Sequence, residues 1–341
     1  MKFLFLGLTL PLLTIGLKTI FNLTAQPIKA ATSITWDGSS DGDGDGISWS
    51  DPLNWDTDAV PTSSDEVLID TATTVNIDSG TTIKALILGE GTGTTATVLN
   101  FTYDAIGTSS PLTISGGDLT IYPSAQITHS VASGNTVVGT INIDVTSGSS
   151  TISGSINANG KGHAATYGPG PGVSGSDGAG GASHAGYGGN GYKQSGGSVV
   201  YGSITEPIRL GSGGGNGVST GGRGGGAIKL NISGDLFNNG NISANGGDGA
   251  GNYYHPAGAG SGGSIWLIAD NISGSGSISV NGGNTPNENK DGGGGSGGRI
   301  AMYYNTNSIS NANITAIGGK PLSPSGGSQR GGAGTIYTKS S

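Results

Sequence analysis

Ala227-Ile228-Lys229-Leu230, Ser264-Ile265-Trp266-Leu267, Arg299-Ile300-Ala301-Met302 and Thr335-Ile336-Tyr337-Thr338 are four versions of one segment. Their isoleucines lie 37, 35 and 36 residues apart. A second set runs in phase with the first: Ile242, Ile278 and Ile314, each followed three residues on by Asn245-Gly246-Gly247, Asn281-Gly282-Gly283 and Ile317-Gly318-Gly319. A fixed period in this range marks a solenoid or array, because one unit cannot bury its apolar face alone. Inside each unit the apolar period is two (Ile228, Leu230, Ile232; Ile278, Val280), the pattern of half-buried strands. The reading is therefore two short strands per unit, stacked so that Ile, Leu and Val form a continuous column. Asn245 and Asn281 fall at equivalent corners, where ladders between coils are expected, and the glycine runs are expected to form loops on one edge.

Working upstream, Ile141, Ile143 and Val145, then Ile152, Ile156 and Ala158 before Asn159-Gly160, repeat the same unit. The next isoleucine of the series, Ile228, is 68 positions beyond Gly160, against about seventeen in later units. The first glycine-rich connection thus carries an insert, residues 161–226. Insertions in solenoids gather on one face and often carry binding. Alternation continues further upstream through Val75-Asn76-Ile77, Leu86-Ile87-Leu88, Leu112-Thr113-Ile114 and Leu119-Thr120-Ile121. The expected organisation is an N-terminal β-rich cap over 31–135 and glycine-rich solenoid repeats over 136–341.

Composition agrees. Of 341 residues 70 are glycine, roughly threefold above ordinary usage, and 54 of these lie from Thr151 onward. There is no G-X-Y triplet register, which excludes collagen. Residues 1–30 contain Lys2, an apolar run over 3–17 broken by Pro11, and Lys18, with small residues around Ala30. The run is short for a membrane span and reads as a secretory signal peptide cleaved near Ala30. Removing it takes three lysines and no acid, moving the formal charge from −8 to −11. That balance disfavours nucleic acid and anionic membranes as partners. The absence of cysteine fits an exported chain that does without disulfides.

Two stretches carry a resemblance. Trp36, Trp49, Asn54-Trp55, Val60-Pro61, Asp65-Glu66-Val67-Leu68-Ile69-Asp70 and Val75-Asn76-Ile77-Asp78 resemble the opening of bacterial surface and adhesin-type β-helix modules, and more loosely of G8 domains. Tyr201-Gly202-Ser203, Pro207, Leu210-Gly211-Ser212-Gly213-Gly214-Gly215 and the repeats after them resemble large glycine-rich secreted or surface proteins. What the resemblance implies is a right-handed parallel β-helix with a role in surface adhesion or matrix. It supplies no catalytic residue.

Candidate sites are few. Asp41-Gly42-Asp43-Gly44-Asp45-Gly46, with Asp51 as a late ligand, is a candidate calcium loop: calcium takes 6–8 hard oxygen ligands, and alternating Asp-Gly sets carboxylates along one tight turn. The EF-hand continuation fails, since the twelfth position is Pro52. In the insert, Tyr167, His184, Tyr187, Tyr192 and Tyr201 are candidate ligand-binding residues, because aromatic faces suit the C–H faces of sugar rings. The competing reading is that these tyrosines pin the insert to the solenoid wall. Gly186–Gly191 matches G-x-G-x-x-G and Gly294–Gly298 matches G-x-S-x-G, but neither has the strand–helix setting that gives those motifs meaning. Glutamate occurs only at 66, 90, 206 and 288, and no acid recurs in phase, so paired carboxylates for glycoside cleavage are not visible. The expected role is a secreted or cell-surface, non-catalytic adhesin, matrix component or glycan binder, with extracellular polysaccharide or a cell surface as partner. The alternatives are a carbohydrate-active β-helix enzyme, and a fibre that self-associates through an open solenoid end.

Overall fold

The computed structural model describes residues 32–90, 94, 96–251, 256–286, 291–321 and 327–340. The expected signal peptide, 1–30, lies outside them. Among the described residues no helix is long and apolar enough to cross a membrane. The chain is an all-β parallel solenoid whose strands form three parallel sheets of eight, seven and seven strands, not closed into a barrel. From Asp65–Ile69 onward successive strands visit the three sheets in rotation, so each turn of the chain adds one strand to every sheet; the first strand, Thr32–Thr35, pairs with Asp65–Ile69 in the eight-stranded sheet. The turn containing Ala227–Ile232, Leu236–Asn238 and Asn241–Ser243 is followed by Ser264–Ile268, Asn271–Ser273 and Ser277–Ser279.

Each coil therefore has three strands where the alternation pattern gave two. The extra strand, Leu236–Asn238 or Asn271–Ser273, is three residues long and buries only one large apolar side chain, Leu236 or Ile272. A single inward residue makes no periodicity, so the strand was merged with its turn. The register is otherwise the one the repeat dictates. In the second sheet Ile141, Ile228, Ile265, Ile300 and Ile336 pair in succession. In the third, Ile127, Ile156, Ile242, Ile278 and Ile314 do the same. Slipping any coil by one residue would turn its isoleucines to solvent, and burying each contributes about 1.5–3 kcal/mol. The asparagine ladder is present: Asn159, Asn245 and Asn281 each accept, through Oδ1, the backbone N–H of the next coil's corner residue at 2.6–2.8 Å. It ends on Ile317, which cannot continue it and is exposed.

The sheets run without interruption across position 135, and the N-terminal tryptophans belong to the same core. Trp55 meets Trp36 and Trp49 edge-on at 5.0 and 4.8 Å. Its Nε1–H donates to the Trp49 carbonyl at 3.0 Å.

The glycine runs are not edge loops. They form a second ordered layer in which the hydrogen-bond period is three. From 257 to 263, the N–H groups of Ala257, Gly260 and Gly263 donate to Ala250, Gly247 and Ala244. Those of Gly258 and Ser261 donate to Gly215 and Ser212, and those of Ala259 and Gly262 to Gly293 and Ser296. The segment from 293 to 298 repeats this with three other neighbours, and so does the insert from 179 to 184. Three residues per turn, no internal hydrogen bonds and extended backbone are the properties of polyproline II. Each segment thus has three faces, and each face bonds a different neighbour. Glycine is required by space: a Cβ at Gly260 would overlap the Arg223 carbonyl, and one at Gly295 the Gly260 carbonyl. The insert is woven into this layer, through Gly189 to Gly294, Ala182 to Ala259 and Gly258 to Gly215.

Gly260→Ala and Gly295→Ala should each lower stability by about 2–3 kcal/mol, the cost of overpacking a rigid interior. Gly116→Ala, where the nearest neighbour is the flexible Lys84 side chain, should cost under about 0.5 kcal/mol. Urea denaturation of the three variants checks the order.

Candidate functional site

Weaving the insert into the glycine layer leaves a cleft of about 650 Å³ where the insert meets the solenoid wall. The wall supplies Asp104, Ile106 and Gly107 from one coil and Asn135, Val137 and Thr140 from the next. The insert supplies His163, Gly168 and Pro169 from its first segment, and Tyr201, Gly202, Ile208, Arg209 and Leu210 from its last.

The floor is held by side chain–backbone bonds. Asp104 Oδ1 accepts from Gly107 N at 2.9 Å and from the Thr140 hydroxyl at 2.8 Å. Thr140 Oγ1 accepts in turn from Ile106 N at 2.9 Å. Asn135 Oδ1 accepts from Gly168 N at 2.7 Å, fastening the first segment of the insert to the wall. Arg223 donates through Nη2 to the carbonyls of Ala132 and Gly162, a second tie between wall and insert.

Tyr201 is anchored on all sides. Its hydroxyl is 2.8 Å from both the Leu210 carbonyl and Ser212 Oγ. Its ring stacks on His184 at 4.5 Å, with 25° between planes. Its carbonyl accepts from Arg299 Nε at 2.9 Å. Burial pushes the phenol pKa well above its ordinary value, so it holds its proton. Burial pushes the His163 imidazole down, opposed by its contact with the Gly134 carbonyl.

The five aromatic candidates divide. Tyr201 lines the cleft, and Tyr167, exposed, sits beside it at Gly134, next to Asn135 and Gly168. His184 is fully buried and backs Tyr201. Tyr187 and Tyr192 are not among the residues that line the cleft. Their backbones bond Gly332 and Asp291, in the segments of later repeats. The Tyr201 backbone carbonyl pins the insert to Arg299 of the wall, while its hydroxyl bonds Leu210 and Ser212 within the insert. Sequence reasoning missed Asp104, Asn135 and Thr140. The repeat gave no signal for them: Asp104 and Thr140 meet across one coil at an offset of 36, while the strands flanking them pair at offsets of 28 (Phe101 with His129) and 31 (Leu112 with Ile143).

The Asp-Gly run spends its oxygens internally. Asp45 Oδ1 accepts from the N–H groups of Ile47 and Ser48 and from Asn54 Nδ2 at 2.7–2.8 Å, and Oδ2 from the Ser48 hydroxyl at 2.5 Å. The Ser48 hydroxyl and N–H are the chief causes that hold its pKa far below the usual carboxylate range. Asp51 accepts from Asp45 N and Leu53 N. Asp43 is pushed up, first by its hydrogen bond with Asp41. Among the described residues no three His, Cys, Asp or Glu side chains converge as a metal site. Asp45 and Asp51 have the geometry of turn-capping groups.

At the end of the strand Gln126–His129, His129 is fully buried; its Nδ1 contacts the Ser130 carbonyl at 2.8 Å and its Nε2 has no partner. Desolvation is the main cause that depresses its pKa to about 4. Unfolded, the imidazole titrates near 6.5. Between those values the unfolded state binds more protons, so the stability contributed by neutral His129 is full above about pH 6.5 and is lost as pH falls toward 4. Between pH 7 and 4.5 that loss is roughly 2 kcal/mol. His129→Gln should remove this component from the acid slope of the denaturation midpoint, whatever it does to stability at pH 7.

No family model, curated protein or solved structure matches this chain, and its function rests on the geometry above.

Proposed function

We propose that this is a secreted or cell-surface, non-catalytic solenoid that binds an extracellular saccharide in the cleft between insert and wall. The observation that carries the reading is the composition of that cleft. It is concave and of ligand size. Ile106, Val137, Pro169 and Ile208 offer apolar surface for C–H faces, while Asn135, His163 and Arg209 offer groups for hydroxyls. The aromatic residue at its edge, Tyr201, is fixed by hydrogen bonds, so little side-chain entropy is lost when a ligand settles.

The same lining argues against cleavage. Hydrolysis of a glycoside takes two carboxyl groups across the bond. Among the described residues that line the cleft Asp104 is the one carboxylate, and it is engaged by Gly107 and Thr140. Tyr201 keeps its proton and is a poor base. Adhesion or matrix assembly is the role that a rigid, uncleaving saccharide site serves.

A glycan array probed with the full chain, in calcium and in chelator, tests this. Arg209→Ala and Asn135→Ala should each weaken binding to the best glycan at least tenfold, about 1.4 kcal/mol. Arg209→Ala should leave the melting temperature unchanged. An array silent under both conditions, or release of reducing ends from a bound polysaccharide, would contradict the proposal.

A further inference from the structure

Residues 201–210 cross the outside of the second sheet and form one wall of the cleft. Unlike the glycine segments, this stretch is not woven into the layer. Residues 202–206 are exposed. The stretch is tied down by the Tyr201 N–H to the His184 carbonyl (3.1 Å), Arg299 Nε to the Tyr201 carbonyl (2.9 Å), the Tyr201 hydroxyl with Ser212 Oγ (2.8 Å), the Tyr303 hydroxyl to the Thr205 carbonyl (3.0 Å) and the Ser264 hydroxyl to the Arg209 carbonyl (2.6 Å), and by the buried Pro207 and Leu210. Such an element opens before the layer beneath it.

His184 lies directly under the strap. Its Nδ1 is 2.7 Å from the Gly262 carbonyl, which fixes the proton there and leaves the Nε2 lone pair bare. Nε2 is buried without a partner. Every group facing this ring is unsuited to a second proton. From the strap come the Tyr201 ring, the backbone at Gly202 and, just beyond it, Arg209; from the second sheet comes the Arg299 guanidinium; from the first segment of the insert comes His163. No carboxylate is among them. An imidazolium here would be a buried cation with an undirected N–H, next to another cation. Lifting the strap uncovers the Nε2 edge to water and relieves both.

We propose that residues 201–210 are an acid-released strap: protonation of His184 breaks the stack with Tyr201 and opens the cleft. That opening would discharge a saccharide rests on the reading of the cleft given above; the movement of the strap does not.

The imidazole titrates at about 4 under the closed strap, depressed chiefly by desolvation, and near 6.5 once solvated. Linkage then raises the strap-opening constant roughly twentyfold from pH 7 to pH 5. Hydrogen exchange on the full chain reads this constant from the protection factor of the Tyr201 amide, with the Leu267 amide in the core as reference. The expected result is a rise of that size in the opening constant at Tyr201, which stays well above that of Leu267, an amide released only on global unfolding, at both pH values. His184→Gln should be flat across the range. Tyr303→Phe, which cuts one tie, should raise opening by a similar factor at both pH values and keep the slope. If His184→Gln fails to fold, an NMR titration of His184 in the parent chain decides, and its midpoint must coincide with that of strap opening. Protection at Tyr201 that does not change, that equals that of Leu267, or that keeps its pH slope in His184→Gln would overturn the proposal.

Discussion

Everything distinctive in this structure depends on a backbone carbonyl meeting a neighbouring glycine Cα at a separation that no Cβ allows. Polyproline II segments have no internal hydrogen bonds, so their N–H and C=O groups must find partners outside the segment. In water such a segment is a disordered linker. Stacked side by side without side chains, each segment bonds three neighbours and becomes part of a solid. The cost is entropic, since ordering glycine loses more backbone freedom than ordering any other residue. The hydrogen-bonded lattice offsets that loss only if it is complete, so a single methyl group at Gly260 or Gly295 is expected to be felt across the layer.

The solenoid makes this lattice possible. Parallel coils set the spacing and register of the glycine connections, one per turn, as isoleucine pairs with isoleucine through the second and third sheets. The insert then uses the lattice as its own means of folding. It has no strand among the described residues and no apolar core of its own, and it is ordered because its glycine stretches complete bonds that the later repeats leave open. The cleft follows from this arrangement, because residues 201–210 leave the lattice and pass over the wall before the chain re-enters it at Gly211.

Much of this was legible in the sequence. The parallel solenoid, the strand register and the asparagine ladder all follow from the 36-residue period, since a period is a statement about which residues stack. The third strand of each coil was not legible, because one buried residue such as Leu236 has no periodicity. The glycine layer was misread as loops for a deeper reason. Its period of three lies in backbone N–H groups, which the sequence does not spell, and glycine marks both a flexible loop and a close-packed interior. Of the candidate site, Tyr201 was found as an aromatic in a glycine-rich insert. Asp104 and Thr140 were not, because turns one coil apart carry no chemical signature until the coil is closed. The Asp-Gly run has the spacing of a cation loop, and two of the carboxylates, Asp45 and Asp51, also cap their own turns, a use that spacing alone does not spell.

Hydrogen exchange of the glycine amides themselves tests the central claim most directly. If the lattice is real, the N–H groups of Gly258, Gly260 and Gly293 exchange as slowly as those of Ile265 and Leu267 in the core, and all of them are released together on global unfolding. Exchange of the three glycines at the rate of an unstructured chain, with the isoleucine strands still protected, would show that the glycine runs are loops after all, and the cleft and strap built on them would fall with the layer.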